Sequence, residues 1–364
     1  MTEVASPALV ESDQITREEL QLATRNHGMP LEALRYPLTP IGLHYLLIHY
    51  DIPCVDPAAF RLTVDGDVAR RLSLTLDEIR HRPSRAVTVT MECAGNGRAR
   101  LQPRPLSQPW LMEAVGTAEW TGVPLASVLE EAGVHDGARD VVFRGLDHGI
   151  EGGEEQDYAR SLPLPEARRD EVLLAYEING QPLPPQHGFP LRLVVPGWYG
   201  MTNVKWLTGI TVTSVAFTGY QQSRGYRFRS DPDDPGEPVT RMRPRSLMVP
   251  PGFPDFLTRH RIVPRGRHVI EGKAWSGTAP IARVDVSTDG GRSWVAARLG
   301  PPSAAPWAWR HWSLDWDASV PGDYDLCCRA TDETGEAQPD EPPWNLGGYV
   351  NNSVHRVPVT VRPS

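Results

Sequence analysis

Met91-Glu92-Cys93-Ala94-Gly95-Asn96-Gly97-Arg98 is the stretch on which the reading of this chain turns. The run before it, Ala86-Val87-Thr88-Val89-Thr90, is β-branched and alternating, the pattern of a strand. A thiol at the end of that strand, on a loop of small residues, can point into a cleft. Glycines there let backbone come close to a large group. Read alone, such a cysteine is either a small buried hydrophobe or a soft ligand for a redox-active metal.

Moving outward, 364 residues are enough for two domains with substantial cores. The formal net charge is -8, with both signs interspersed. That leaves no basic stripe for nucleic acid. The longest apolar runs fall far short of a membrane span. Residues 1–21 lack the basic start and apolar core of a secretory signal, so a cytoplasmic location is expected. The cysteines are Cys54, Cys93, Cys327 and Cys328. None forms a C-x-x-C pair, which argues against a zinc or thioredoxin-type site and suits a reducing compartment. Cys327 and Cys328 are adjacent in a strand pattern and so should face opposite ways.

Residues 1–40 read as a leader packed across the body. Thr16 with Glu19 predicts a capped helix over Arg17–Thr24. From 41 to 238 the pattern is α+β. Strands are expected at Phe60–Val64, Val87–Thr90, Val141–Arg144, Leu191–Val195 and Gly209–Val215. Short helices are expected at Leu76–His81, Pro124–Ala132 and Leu164–Arg169. The charged, proline-rich run Ser230 to Pro238 marks the boundary. From 239 to 364 the pattern is all-β: Val284 and Val286 alternate, Asp289-Gly290-Gly291 makes a hairpin turn before Trp294, and Val357, Val359 and Val361 share a face. Such spacing predicts an immunoglobulin-like sandwich.

Several motifs in order carry a resemblance over nearly the whole chain from about residue 36. They are Cys93 to Arg98, the run Leu173 to Pro184, His187-Gly188-Phe189-Pro190-Leu191-Arg192 and Val204-Lys205-Trp206-Leu207. Ala274-Trp275-Ser276-Gly277, Asp289-Gly290-Gly291 and Trp344-Asn345-Leu346 extend it into the second half. The chain resembles the sulfite oxidase family of molybdenum–molybdopterin oxidoreductases. The resemblance implies a mixed α/β molybdopterin domain followed by a dimerising β-sandwich, with one molybdenum bound by a pterin dithiolene and by Cys93. The haem domain fused in some relatives has no counterpart here, so an external electron carrier is implied.

The same resemblance assigns His49, Asp147, His187, Arg192, Asn203 and Lys205 to the pterin and its phosphate. It assigns Arg98, Trp110 and Tyr226 to the substrate pocket. Arginine suits a bidentate oxyanion contact, and lysine acts as a point charge. Two further pocket arginines of sulfite oxidases are replaced here by Leu47 and Gly347, and Gly97 stands where relatives often have arginine. Losing two charged hydrogen bonds would weaken oxyanion binding by ~3–6 kcal/mol. Arg224, Arg227 and His148 are candidates to restore charge. The expected function is oxygen-atom transfer, with oxidation of sulfite to sulfate first. The alternative is a molybdenum reductase of nitrate or an organic S-oxide. A third reading is a non-catalytic binding protein that uses the sandwich.

Overall fold

The cysteine-bearing strand runs Arg85–Glu92, and its burial rises toward Glu92. This is a computed structural model, and it describes residues 8–11, 14–302 and 305–363. Residues 1–7 and 12–13 of the expected leader lie outside them. Arg85–Glu92 pairs antiparallel with Val115–Pro124, which in turn pairs with Leu173–Ile178. Gln181–Pro182 and Arg192–Val194 complete this five-stranded sheet. Leu174 and Tyr176 enter one core, while Leu173 and Ala175 enter another. Burial on both faces explains the unbroken apolar run.

A second five-stranded sheet has the order Leu72–Thr75, Arg61–Gly66, Leu207–Thr213, Asp140–Glu151, Glu154–Pro163. Its apolar face meets the first sheet through Leu62, Val64, Phe143 and Ile210. The helices are short, as the proline content predicts. Leu125–Ala132 buries Leu125, Val128, Leu129 and Ala132, one face at helical spacing, and stops at left-handed Gly133. Leu76–Arg80 and Leu164–Ala167 end one and two residues before the expected limits. Asp140–Glu151 runs well past Arg144. Its hairpin with Glu154–Pro163 continues through polar residues to a Gly152-Gly153 turn with both φ positive. The backbone ladder there needs no apolar face.

The leader helix Arg17–Ala23 has the Thr16–Glu19 capping box. Glu19 also makes a buried ion pair with Arg104 at 2.9 Å, which ties the leader to the body. The connector differs from an open link. Arg227–Phe228 pairs with Glu237–Pro238, and Asp234 accepts from the Ser230 amide at 2.8 Å and its hydroxyl at 2.9 Å. Ser230 to Pro238 is therefore a closed hairpin.

The C-terminal part is a β-sandwich of a four-stranded and a six-stranded sheet. Trp312 and Ile270 from one sheet meet Val286, Leu326, Cys328 and Val359 from the other. Gly290 and Gly291 take positive φ in the turn before Val295–Ala296, which pairs with Ile281–Ser287. Cys328 enters this core, while Cys327 lies beside Arg356. A further apolar cluster joins the two parts, with Ala94, Met112 and Tyr199 against Leu247, Trp275 and Val350. Among the described residues, no helix is long and apolar enough to cross a membrane.

Candidate active site

Cys93 sits directly after its strand and is buried. Its amide donates to the Ala114 carbonyl at 2.9 Å, and its own carbonyl accepts from the Asn96 amide at 3.0 Å. The small residues of the loop have separate causes. A Cβ on Gly95 would lie 2.7 Å from the Arg98 guanidinium. Gly97 has φ +90, and a Cβ there would lie 2.8 Å from the Asn351 amide nitrogen. The Asn351 side chain donates to the Gly97 carbonyl at 2.7 Å. Glu92, fully buried, lies 2.7 Å from Arg245 and accepts from the Trp275 indole at 2.9 Å and the Asn96 side-chain Nδ2 at 3.1 Å. The sandwich thus grips the cysteine loop directly.

Cys93 opens on a partly enclosed cavity. His49, Asp147, His187, Arg192, Asn203, Lys205 and Tyr226 also line it. They come from segments far apart in sequence, which the two sheets bring to one place. Arg98 instead lines an outer cavity of about 1030 Å³. Trp110 packs in the apolar cluster that holds Cys93, Tyr45 and Met91. Burial pushes the Cys93 thiol up, while the nearby Arg98 guanidinium pulls it down.

The inner wall is cationic. The Arg192 guanidinium donates to the carbonyls of His187 at 3.0 Å and Asn203 at 3.2 Å, and stacks 4.5 Å from the Trp120 ring centre. Lys205 Nζ donates to the Leu47 carbonyl at 2.6 Å. Burial, with Arg192 beside it and Asp147 opposing, lowers Lys205 to about 7. Burial also lowers Arg192 to about 10 and His187 to about 2, the latter with help from His44 and Arg192. Asp147 is raised by burial to about 6, with Lys205 opposing. Asn203 is engaged with the fold: its Oδ1 accepts from the Val195 amide at 2.7 Å and its Nδ2 donates to the Tyr199 carbonyl at 3.2 Å.

A phosphorylated pterin fits this wall. Arg192 Nε, Asp147 Oδ1 and His44 Nε2 are buried without a hydrogen-bond partner. Unpartnered buried atoms also occur elsewhere in the molecule, but these three gather on the wall of one cavity, where a ligand can answer them. An anionic group would answer the cations, and heterocycle N–H groups would answer Asp147. Among the described residues, no three His, Cys, Asp or Glu side chains gather as a metal site. A metal at Cys93 would therefore take its other ligands from the cofactor.

On the opposite side, His49 Nε2 and the Tyr226 hydroxyl are 2.6 Å apart. Burial, then Lys205 and Arg98, lowers His49 to about 3, so its ring is neutral. The residues proposed to restore lost charge do not reach the inner cavity. His148 is exposed and bonded to Asp157 and Glu155. Arg224 is paired with Glu154, and Arg227 donates to the Pro235 and Gly236 carbonyls. Both arginines line the outer cavity. Leu47 lines the inner one, and Gly347 the outer.

Sequence reasoning missed His44, Tyr45 and Tyr158, which line the inner cavity, and Tyr349, which lines the outer one. His44 stands five residues before His49, and its ring lies 5.6 Å from His187. Tyr349 stands two residues after Gly347, close enough to have been noticed. Tyr158, in the middle of a polar strand, carries no such signal.

Comparison with known proteins agrees with this geometry. Residues 49–221 match the oxidoreductase molybdopterin binding domain, and residues 239–362 match the Mo-co oxidoreductase dimerisation domain. Mitochondrial sulfite oxidase of Mus musculus is 39% identical over 90% of this chain and 62% of its own length. Sulfite oxidase of Gallus gallus is 39% identical over 88% of this chain and 72% of its own. A nitrate reductase [NADH] of Solanum lycopersicum is 31% identical over 92% of this chain and 40% of its own length. The solved structure of the sulfane dehydrogenase SoxCD from Paracoccus pantotrophus superposes with a TM-score of 0.80 at 28% identity, covering 99% of this chain and 91% of that one. The chain belongs to the sulfite oxidase family of molybdenum–molybdopterin oxidoreductases.

Proposed function

We propose that the protein transfers an oxygen atom to a reduced sulfur centre, with sulfite the first substrate to test, and passes the electrons to an external carrier. The observation that carries this reading is the buried thiol of Cys93, which shares a cavity with Arg192, Lys205 and Asp147. When bound, the molybdenum–molybdopterin group supplies oxygen-atom transfer and takes up two electrons. Arg192, Lys205 and His187 would hold its phosphate, Asp147 its pterin N–H groups, and Cys93 its metal. Arg98 orients an anionic substrate from the outer side. The Tyr226 hydroxyl and His49 Nε2 hold one proton between them and can move it as charge changes at the substrate. Trp110 and Tyr45 close the apolar side and exclude water.

A second reading is reduction of nitrate or an organic S-oxide. Leu47 on the cavity wall favours it, because an apolar wall accepts a less charged substrate. Sulfane sulfur, named for the SoxCD relative, is a third compound to test. The protein is also proposed to be a homodimer through the sandwich, whose Phe256-Leu257 tip is exposed. A cytoplasmic location is proposed as well. The deciding experiment uses molybdenum-loaded protein with sulfite and a sulfane donor against ferricyanide, and nitrate and S-oxides against reduced viologen. Turnover of nitrate or S-oxides alone would overturn the first reading.

A further inference from the structure

Directly after the Trp344-Asn345-Leu346 element, the chain crosses the site as Gly347-Gly348-Tyr349-Val350. Asn345 fixes this segment from both sides. Its Oδ1 accepts from the Tyr349 amide at 3.0 Å, and its Nδ2 donates to the Tyr349 carbonyl at 2.7 Å. Val350 takes φ 61, a region that β-branched residues rarely adopt. Its amide reaches the Ala94 carbonyl, next to Cys93, at 2.8 Å. Gly348 has φ +63, and a Cβ there would lie 2.8 Å from Arg98 Cγ. The Gly347 carbonyl accepts from Arg98 Nε at 3.1 Å. The strap is thus held on both sides, and it delivers one ring to the site.

The Tyr349 ring centre lies 5.1 Å from the Arg98 guanidinium carbon and 5.1 Å from the Tyr226 ring. Arg98 also donates to the Ser107 hydroxyl at 3.0 Å and the Gln108 carbonyl at 3.3 Å. Most of its donor capacity is therefore engaged within the protein, and its guanidinium carbon lies over the ring. A Cβ on Gly347 would meet Tyr349 Cε2 at 2.2 Å. A side chain at 347 and the ring in this position exclude each other.

We propose that Tyr349 is a specificity-determining residue that screens Arg98 and so weakens, without abolishing, the hold of the site on small oxyanions such as sulfite. This rests on the proposed function only in taking the Cys93 site as the place of reaction. It accounts for Gly347 as well: glycine is the residue that leaves room for the ring. A screened guanidinium gives an oxyanion fewer charged hydrogen bonds, and an unscreened one gives it more.

The test is sulfate binding to the molybdenum-loaded protein, measured by calorimetry at low salt, beside steady-state sulfite oxidation. Tyr349→Ala should tighten sulfate about ten- to hundredfold, the change expected for one recovered charged hydrogen bond. KM for sulfite should fall in parallel, with kcat changing little. Tyr349→Phe should keep the weak sulfate affinity, because the ring and not the hydroxyl does the screening. Gly347→Ala pushes the ring aside without deleting it, and should tighten sulfate too. Gly347→Arg in the Tyr349→Ala background should bind sulfate tightest. Tyr349→Ala and Gly347→Ala proteins that retain molybdenum yet bind sulfate within twofold of the parent would overturn the proposal. Sulfate affinities that shift while no variant oxidises sulfite would leave Tyr349 in its role and remove sulfite as substrate.

Discussion

The inner and outer halves of the site are built on opposite principles. On the inner side, Arg192, Lys205 and His187 are pressed together in burial, and Arg192 Nε and Asp147 Oδ1 have no partner. On the outer side, Arg98, Arg224 and Arg227 are each engaged by carbonyls, hydroxyls or carboxylates of the protein itself. The first arrangement is unfavourable until an anionic ligand completes it. The second is nearly complete without one. The inner wall therefore specifies its ligand closely, whereas the outer wall leaves substrate choice to a few side chains. This is why family membership defines the cofactor better than the substrate.

The most severe way to break this contrast is to remove its shared centre. Cys93→Ser should abolish turnover with every substrate and remove the thiolate charge-transfer absorption of the metal centre. Cys328→Ser, in the sandwich core, should keep turnover. Equal loss in both would mean that Cys93 matters only for packing. Next in size is Glu92→Gln. It leaves Arg245 buried without its carboxylate, and breaking such a pair costs ~3–5 kcal/mol. Urea unfolding should show the loss, and the midpoint should recover in part in the Glu92→Gln, Arg245→Met double variant. An unchanged urea midpoint in Glu92→Gln would show that the sandwich does not hold the cysteine loop through this pair.

Much of the fold was legible because it rests on local signals. The alternation before Cys93, the Thr16–Glu19 box and the Asp289-Gly290-Gly291 turn each act within a few residues. The cofactor wall was legible only through family motifs, since His49, Asp147 and Lys205 are brought together by sheet pairing across long gaps. What stayed hidden depended on contacts between the two parts. Gly97 reads as a lost arginine in sequence, but in space it makes room for Asn351. The connector reads as a link, yet Arg227–Phe228 closes it against Glu237–Pro238. Tyr349 stands near Gly347 in sequence, but its meaning lies in its contact with Arg98, far away along the chain.

Single-charge substitutions should sharpen the contrast with smaller effects. Lys205→Met should lower molybdenum content and weaken pterin-phosphate retention about ten- to hundredfold, as loss of one charged hydrogen bond predicts. Arg98→Met should leave molybdenum content near the parent value and change sulfite KM. Loss of molybdenum in Arg98→Met, measured by mass spectrometry, would erase the distinction between the halves.

The smallest expected effect separates burial built by the fold from burial awaiting a ligand. His355 lies in the sandwich, where its Nδ1 accepts from the Met248 amide at 3.0 Å. Burial, then Arg100 and Arg245, lowers it to about 3 from an ordinary 6.5. The unfolded chain thus binds a proton at this residue that the folded chain refuses between those values. Stability rises with pH there, and it is lost as pH falls through 6.5 toward 3. The slope from one such group is about 1.4 kcal/mol per pH unit, or about 2 kcal/mol by pH 5. His44, His49 and His187 are lowered in the same sense, but they face the inner cavity, where a bound phosphate would oppose the shift. Urea midpoints at pH 7, 6 and 5 should therefore fall less steeply in His355→Gln by one proton, in loaded and unloaded protein alike. In the parent, loading should flatten only the remaining slope. An identical slope with and without cofactor would mean that the inner histidines owe their shifts to the fold alone, as His355 does.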